Sequence, residues 1–182
     1  MQFFCYHRDR RDSRTLRDQL LEDHWSYMDR YAAGMIARGP TSDTEGRLTG
    51  SVHIVDVPGP EEARRFAFEE PGYQAGAYRD LLLRRWDNLL GRTMWDFPDG
   101  SIDDRGFLVL AHGPQAEGPL PMVPEEDRNL VAFGPLLSDD ARAWVGTAAL
   151  LRADDRGGAS VVLGEVEYAE VEVHHWRPGG RR

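Results

Sequence analysis

Histidine is the residue type in this sequence best suited to proton transfer near neutral pH. The six histidines are His7, His24, His53, His112, His174 and His175. Lysine is absent and all 22 basic residues are arginine, so no lysine is present to form a Schiff base or act as a nucleophile. Cys5 is the only cysteine, which excludes an intrachain disulfide. General acid–base chemistry by a histidine is therefore the first hypothesis.

His24 is the strongest of these candidates. It lies in a predicted helix that runs from a cap at Asp12 or Ser13 to about Arg38. One face of this helix carries Leu20, His24, Met28, Tyr31 and Met35. We expect this face to contact a sheet, where burial lowers the pKa of an imidazole unless a carboxylate compensates. A neutral imidazole with a carboxylate partner is a competent general base, whereas the alternative is a core histidine bonded to a backbone carbonyl.

Three other histidines lie in or at the ends of predicted strands. His7 ends a strand over residues 2–6, and His112 ends its counterpart later in the chain. This recurrence favours a structural position at the edge of a sheet, although either residue could line a pocket. His53 lies in the strand GSVHIVDV, where it either borders a cavity or is packed.

His174 and His175 superficially resemble a metal site. Consecutive strand residues point to opposite faces of a sheet, so these two side chains cannot easily bind one ion. The sequence contains no Cys/His cluster with zinc spacing. We therefore predict no metal and no cofactor, and nothing in the sequence demands a haem.

The order of elements predicts an α+β fold. Three strands (residues 2–6, GSVHIVDV and AYRDLLLRRW) alternate with two helices, the second of which begins at Pro60 and stops near Glu70. The resulting β-α-β-α-β order, with room for a short extra strand, matches the ferredoxin-like arrangement. In that arrangement helices cover one face of an antiparallel sheet.

The second part of the chain repeats the pattern of the first. FLVLAH parallels FFCYH, AFGP parallels ARGP, and EYAEVEVHHW parallels AYRDLLLRRW. The segment between His112 and Leu130 is too short and too proline-rich for a long helix, and DRGGASVVL gives only a reduced second helix. We predict one unit over residues 1–90, a linker over 91–106, and a degenerate second copy over 107–182.

The first copy resembles the YCII-related (YciI-like) family. The resemblance is carried by HWSYMDRYAAGMIARGP, GSVHIVDV, EEARRFAFEEP and AGAYRDLLLRRW, which together span about residues 1–90. It implies ferredoxin-like units whose sheets pair into a dimeric α+β barrel, formed here within one chain as a pseudo-dimer. It also implies a reactive pair of a helix histidine and an aspartate before a proline, which fall on His24 and Glu70.

The resemblance also suggests a function. Activities in the family include removal of chloride from a chlorinated hydroxyhydroquinone, so we expect a small cofactor-independent enzyme of lyase or isomerase type. Its His24–Glu70 pair would perform proton abstraction, elimination or isomerisation on a small cyclic or aromatic substrate. The expected substrate-binding residues are His7, Trp25, Arg38, His53 and Tyr78. The rival hypothesis is a non-catalytic ligand-binding or regulatory protein that uses the same cavity.

Composition limits the partners. The net charge of −9 argues against binding to nucleic acid, and no apolar run is long enough to cross a bilayer. We expect a cytoplasmic protein whose partner is a small-molecule substrate. Either a monomer with an internal pseudo-dimer or a homodimer fits the sequence.

Overall fold

The computed structural model describes residues 1–97, 102, 105–116, 123–124 and 127–181. Within them the strands are β1 (Gln2–Asp9), β2 (Met35–Ser42), β3 (Leu48–Asp56), β4 (Tyr78–Trp86), β5 (Gly106–Ala116), β6 (Leu130–Leu137), β7 (Trp144–Arg152) and β8 (Glu170–Trp176). The α-helices are α1 (Arg14–Gln19), α2 (Leu21–Asp29), α3 (Pro60–Phe68), α4 (Pro71–Gln74) and α5 (Arg156–Ser160). The predicted α+β class is confirmed, with antiparallel strands dominant and few helices.

The eight strands form a closed barrel in the order β1-β3-β2-β8-β5-β7-β6-β4. Each half of the chain contributes four neighbouring strands, β4-β1-β3-β2 and β8-β5-β7-β6. Two short antiparallel ladders join the halves, one pairing Trp86 with Leu136 and the other pairing Trp176 with Thr41. Closure leaves these strands no free sheet edge.

Strand alternation sorts side chains between the inside of the barrel and the helices outside it. In β1, Phe4 and Tyr6 are buried in the barrel interior with residues from both halves. Phe3 and Cys5 point the other way, into a cluster with Phe66 of α3. The outer face of the first sheet, covered by α2, α3 and α4, is the surface on which the candidate site is built.

The long first helix predicted from Asp12 or Ser13 to Arg38 is wrong. The last α-helix of this region ends at Asp29, a 3-10 turn follows at Ala32–Gly34, and Met35–Ser42 form a strand that the sequence analysis missed. Ile36 packs inside the barrel and Met35 packs outside against α3, so this strand is apolar on both faces. Because both faces of this strand are buried, its apolar residues follow those of the preceding helix without a break. In the sequence, the two elements together therefore show the apolar spacing of one long helix.

The first strand also differs from prediction, whereas the second helix begins at Pro60 and ends close to Glu70, as predicted. β1 continues to Asp9 between β3 and β4, so His7 lies within a central strand and not at a sheet edge. Helix α3 ends at Phe68, and a separate short helix begins at Pro71. Proline pushes the preceding residue out of the helical region, which separates the two helices at Glu70.

The segment predicted to be a linker contributes to the core. Phe97 and Ile102 are buried in the barrel interior. In the second half, α5 has five residues where α3 has nine. Between His112 and Leu130 the sequence predicts that no long helix forms. Much of this segment, residues 117–122 and 125–126, lies outside the described residues.

Candidate functional site

Helix α2 places His24 over the outer face of the first sheet. One turn beyond it, Tyr27 and Met28 are buried against the sheet and α3. The Tyr27 hydroxyl donates a hydrogen bond to the Arg65 carbonyl at 3.0 Å, which ties α2 to α3. This packing fixes the helix that carries His24 relative to the turn that carries Glu70.

His24 and Glu70 form a hydrogen-bonded pair. His24 Nδ1 lies 2.8 Å from Glu70 Oε1, and Glu70 Oε2 accepts the backbone N–H of Tyr73 at 2.7 Å. Glu70 is fully buried, whereas His24 keeps 19% of its side chain exposed. Because a carboxylate only accepts hydrogen bonds, Nδ1 of His24 carries the proton. Its Nε2 has no hydrogen-bond partner among the described residues.

The environment keeps Glu70 ionised. Burial opposes its ionisation, but the hydrogen bonds from His24 and from the Tyr73 N–H, together with the nearby imidazoles of His24 and His7, outweigh burial. The pKa of Glu70 therefore lies below its ordinary value of 4.5. The Glu70 side chain also caps the N-terminus of helix α4. It is therefore buried, unlike most acidic residues that follow the end of an amphipathic helix.

A cavity of about 460 Å³ lies beside this pair. Helices α1 and α2, strands β2 and β3, and the segment after β8 all border it. Its lining includes four of the residues predicted for the site, which are His24, Trp25, Arg38 and His53. A volume of this size matches a small-molecule site. The cavity lies between the first sheet and its helices, and the His24 side chain forms part of its wall.

His53 forms part of the cavity wall on the sheet side. Its ring centroid is 5.6 Å from that of His24, and only 2% of the residue is exposed. Burial, together with the neighbouring imidazoles of His24 and His7 and the guanidinium groups of Arg38 and Arg17, holds the pKa of His53 well below 6.5. The ring is therefore neutral, and its Nδ1 is buried without a hydrogen-bond partner. An unpartnered buried nitrogen is a position that a ligand or water can satisfy.

His7 and Tyr78 lie behind the pair and do not line the cavity. Their ring centroids are 4.7 Å apart. His7 Nε2–H donates to the Ala67 carbonyl at 2.8 Å, and burial lowers the pKa of His7. Burial likewise raises the pKa of Cys5 well above its ordinary value, so its thiol is not a nucleophile. His7 and Tyr78, which were predicted to contact the substrate, are packed beneath Glu70 and are not positioned to touch a ligand in the cavity.

Arg38 of β2 and Trp25 of α2 both line the cavity. Arg38 is 6% exposed, and among the described residues no carboxylate lies within ion-pair distance of it. Its Nε donates to the Gly179 carbonyl at 3.2 Å, and its Nη2 donates to the Arg181 carbonyl. A buried guanidinium without a carboxylate partner favours an anionic ligand group.

Arg17 is one of the charged lining residues that sequence analysis missed. Its Nη1 donates to both carboxylate oxygens of Asp9 at 2.7 Å, and its Nη2 donates to Ser51 Oγ at 2.6 Å. Arg17 thereby joins α1 to the ends of β1 and β3. Its position four residues after Ser13 did not distinguish it among 22 arginines, because its partners come from strands remote in sequence.

Known proteins resemble the part of the chain that carries this site. Residues 1–87 match the YCII-related domain. This match contains α1 to α4, β1 to β4 and the His24–Glu70 pair. No protein of curated function matches the chain.

Three solved structures are similar in fold, at low scores. One is 5-chloro-2-hydroxyhydroquinone dehydrochlorinase from Burkholderia phenoliruptrix AC1100 in complex with 2,5-dihydroxybenzoquinone, at 25% identity over 50% of this chain and 99% of that chain, with a TM-score of 0.45. A candidate monooxygenase from Lactobacillus acidophilus NCFM shows 8% identity over 97% and 93%, with a TM-score of 0.48. Another from Fusobacterium nucleatum subsp. nucleatum ATCC 25586 shows 10% identity over 97% and 91%, with a TM-score of 0.46. At these scores the likeness is too low to assign an activity.

None of the described helices is both long enough and apolar enough to cross a membrane. All of the described helices are shorter than ten residues, and α2 and α3 carry charged side chains along their exposed faces.

Proposed function

We propose that the chain is a small cofactor-independent enzyme that removes a proton from a cyclic or aromatic substrate, leading to elimination or isomerisation. The observation that carries this proposal is the 2.8 Å hydrogen bond between His24 Nδ1 and the buried Glu70, beside a cavity that His24 lines. The match of residues 1–87 to the YCII-related domain supports it. A histidine oriented by a carboxylate is a recurrent general base.

The chemistry follows from the geometry of the pair. Nε2 of neutral His24 takes a proton from a carbon of the substrate, and the C–H electron pair enters the new double bond. In elimination, the leaving group departs with the electron pair of the bond that joined it to carbon. In isomerisation, the His24 imidazolium returns the proton to another carbon. Glu70 stays ionised and stabilises the imidazolium through Nδ1–H. Glutamate is longer than the aspartate of the family pattern, and capping of α4 holds it at the required distance.

The lining supports a flat substrate with an anionic group. Trp25 offers an aromatic face at the rim, and Arg38 is a buried cation without a carboxylate partner in the described part of the chain. Neutral His53 can exchange a hydrogen bond with a ring substituent. A single-ring phenolate or enolate fits both this chemistry and a volume of about 460 Å³.

We also propose that the two halves are tandem copies of one ferredoxin-like unit, which meet as an intrachain pseudo-dimer. Residues 1–90 and 107–182 would be the copies, with only the first keeping a site. The equivalent strand orders and equivalent joining ladders support this. Trp86 and Trp176, at the ends of β4 and β8, each lie against a Gly-Pro of the other half.

Turnover of 5-nitrobenzisoxazole tests the proposed base without knowledge of the natural substrate. A base removes the ring proton, the N–O bond breaks, and a coloured cyanophenolate forms, with no cofactor required. We expect wild-type protein to accelerate this reaction and His24→Ala to lose roughly a hundredfold or more of that rate. Asp23→Ala is the matched control, because Asp23 is an exposed acid next to His24 on α2.

The outcome separates catalysis from mere binding. Equal rates in wild type, His24→Ala and Asp23→Ala would contradict the base role. If the cavity bound the compound with no turnover in any variant, the rival hypothesis of a ligand-binding protein would be favoured.

A further inference from the structure

The segment that follows β8 crosses from the second half of the chain to the site of the first half. Arg177 N–H donates to the Pro40 carbonyl at 3.4 Å, and Gly179 N–H donates to the Arg38 carbonyl at 3.1 Å. Residues 177–180 line the cavity beside His24. The first-half site therefore has a wall supplied by the second half.

Arg181 fixes the far end of this segment to α2, the helix that carries His24. Its Nη1 donates to Glu22 Oε1 at 2.6 Å, and its Nη2 donates to Asp29 Oδ2 at 2.9 Å. Its guanidinium also lies 5.8 Å from the centroid of the Trp25 ring. One side chain thus connects the segment to Glu22, Trp25 and Asp29 of α2.

Two glycines allow the segment to lie close to the cavity floor. Gly180 has a φ of 84°, and a Cβ there would collide with the Arg38 guanidinium. A Cβ at Gly179 would lie 2.8 Å from Pro40 Cδ, which is closer than real contacts allow. Since Arg38 donates to carbonyls of this same segment, the close approach depends on both glycines.

The segment is also a partition. On its other side lies a second cavity of about 210 Å³, bordered by Met94 and Trp95. Arg38 and Pro178 to Gly180 line both cavities. Moving the segment away would join the two spaces and free the Arg38 guanidinium from backbone carbonyls.

We propose that residues 177–181 form a releasable strap over the site, and that Arg181 is the positioning residue that holds it closed. The proposal uses the proposed function only for the location of the site. The side chains of Arg181, Glu22 and Asp29 are 40%, 69% and 44% exposed. Ion pairs this exposed are weak and are screened by salt, so the strap opens readily. In the open state, Arg38 is available to the anionic group of a ligand.

Hydrogen–deuterium exchange at the Gly179 amide tests the strap without any substrate, because that amide is protected by the Arg38 carbonyl. We expect exchange to be roughly three to ten times faster in Arg181→Ala than in wild type, from the loss of two exposed ion pairs. Arg142→Ala is the control, since Arg142 is an exposed arginine in a turn of the second half. The charge-swapped double variant Asp29→Arg with Arg181→Asp should restore much of the protection.

Turnover of 5-nitrobenzisoxazole gives a second, functional readout. Loosening the strap should lower KM by a similar factor and leave kcat unchanged, because the variant changes access and not the base. Gly179 exchange that is identical in wild type and Arg181→Ala would overturn the strap, whatever the turnover shows. Faster exchange without any turnover in the wild type would keep the strap and contradict the proposed function.

Discussion

The carboxylate of Glu70 is fully buried and lies 2.8 Å from Nδ1 of His24, which reaches the wall of a cavity. The two residues are 46 positions apart and come from different elements. A buried carboxylate is costly unless its hydrogen-bonding capacity is filled, and here both oxygens have donors. This satisfied pair is the basis of the following predictions.

Removal of the Glu70 charge should lower activity while the fold remains. Glu70→Gln has one acceptor oxygen for the two donors His24 Nδ1–H and Tyr73 N–H, and without its charge it stabilises the imidazolium much less, so we expect 5-nitrobenzisoxazole turnover to fall by roughly tenfold to a hundredfold. Glu69→Gln is the matched control, because Glu69 is a neighbouring exposed acid. Steady-state kinetics of both variants measure the effect. Equal losses in the two would show that Glu70 does not act through His24.

The buried histidines should make folding stability depend on pH. Burial lowers the pKa of His53 well below its unfolded value of 6.5, and the pKa of His7 is lowered for the same reason. The unfolded chain therefore takes up these protons first, so stability is full above about pH 6.5 and is lost as the pH falls below it. Urea unfolding at several pH values should show a loss of about 1 kcal/mol per pH unit for each such histidine.

A His53→Leu variant checks the assignment of that loss. We expect its free energy of unfolding to fall less steeply between about pH 6.5 and pH 5 than that of the wild type. His175→Leu is the control, because His175 is only partly buried and stacks on Phe107 outside the barrel. If the two variants had the same slope as the wild type, the neutral state of His53 would not contribute to stability.

Arg38 should discriminate ligands by charge. 4-Nitrophenolate carries a negative charge on a flat ring and absorbs visible light, whereas nitrobenzene is neutral and similar in shape. We expect Arg38→Leu to bind 4-nitrophenolate about tenfold more weakly and nitrobenzene almost unchanged, because a partly desolvated charge pair is lost. Absorbance and fluorescence titrations measure both constants. A similar change for the two compounds would show that Arg38 shapes the cavity and does not recognise charge.

An ion pair inside the barrel should stabilise the contact between the halves. Arg8 of β1 donates to Glu172 of β8 at 2.6 Å, and both side chains are mostly buried. Burial opposes ionisation of Glu172, but the nearby His112, the hydrogen bond from His174 and the charge of Arg8 hold its pKa far below the ordinary 4.5. Its stabilising contribution is therefore present above about pH 4.5 and is lost as the pH falls further.

The variant Glu172→Gln tests this pair by urea unfolding at neutral pH. We expect a loss of about 1–3 kcal/mol, because Arg8 loses a partly buried partner. Glu170→Gln, on the same strand but exposed, is the control and should change stability little. A loss that was no larger in Glu172→Gln than in Glu170→Gln would contradict the role of the pair.

Local patterns in the sequence predicted much of the fold. The α+β class, the strands around His53 and Tyr78, and the start of α3 at Pro60 agree with the structure. So does the placement of His174 and His175 on opposite faces, since His174 contacts Tyr6 inside the barrel and His175 contacts Phe107 outside. Each of these predictions depends on features of a short stretch of sequence: the spacing of apolar residues, the position of a proline, or local charge.

What the sequence did not predict depends on contacts between distant segments. β2 was predicted as part of a helix because both of its faces are apolar, so its sequence continues the apolar spacing of the preceding helix. Arg17 and the segment around Arg181 reach the cavity only through the closure of the barrel, which brings residues 177–181 to α2. The hydrogen bond between His24 and Glu70 came from the family resemblance, because no local spacing relates a residue on α2 to the turn before Pro71.

Chemical rescue of His24→Ala is the most direct test of the proposed base. The substitution removes the imidazole and leaves Glu70 and the cavity in place, so free imidazole can occupy the vacated position. We predict that His24→Ala loses the turnover of 5-nitrobenzisoxazole and regains part of it with saturating dependence on added imidazole, beyond the rate of imidazole in buffer. Full activity in His24→Ala without imidazole would contradict the account.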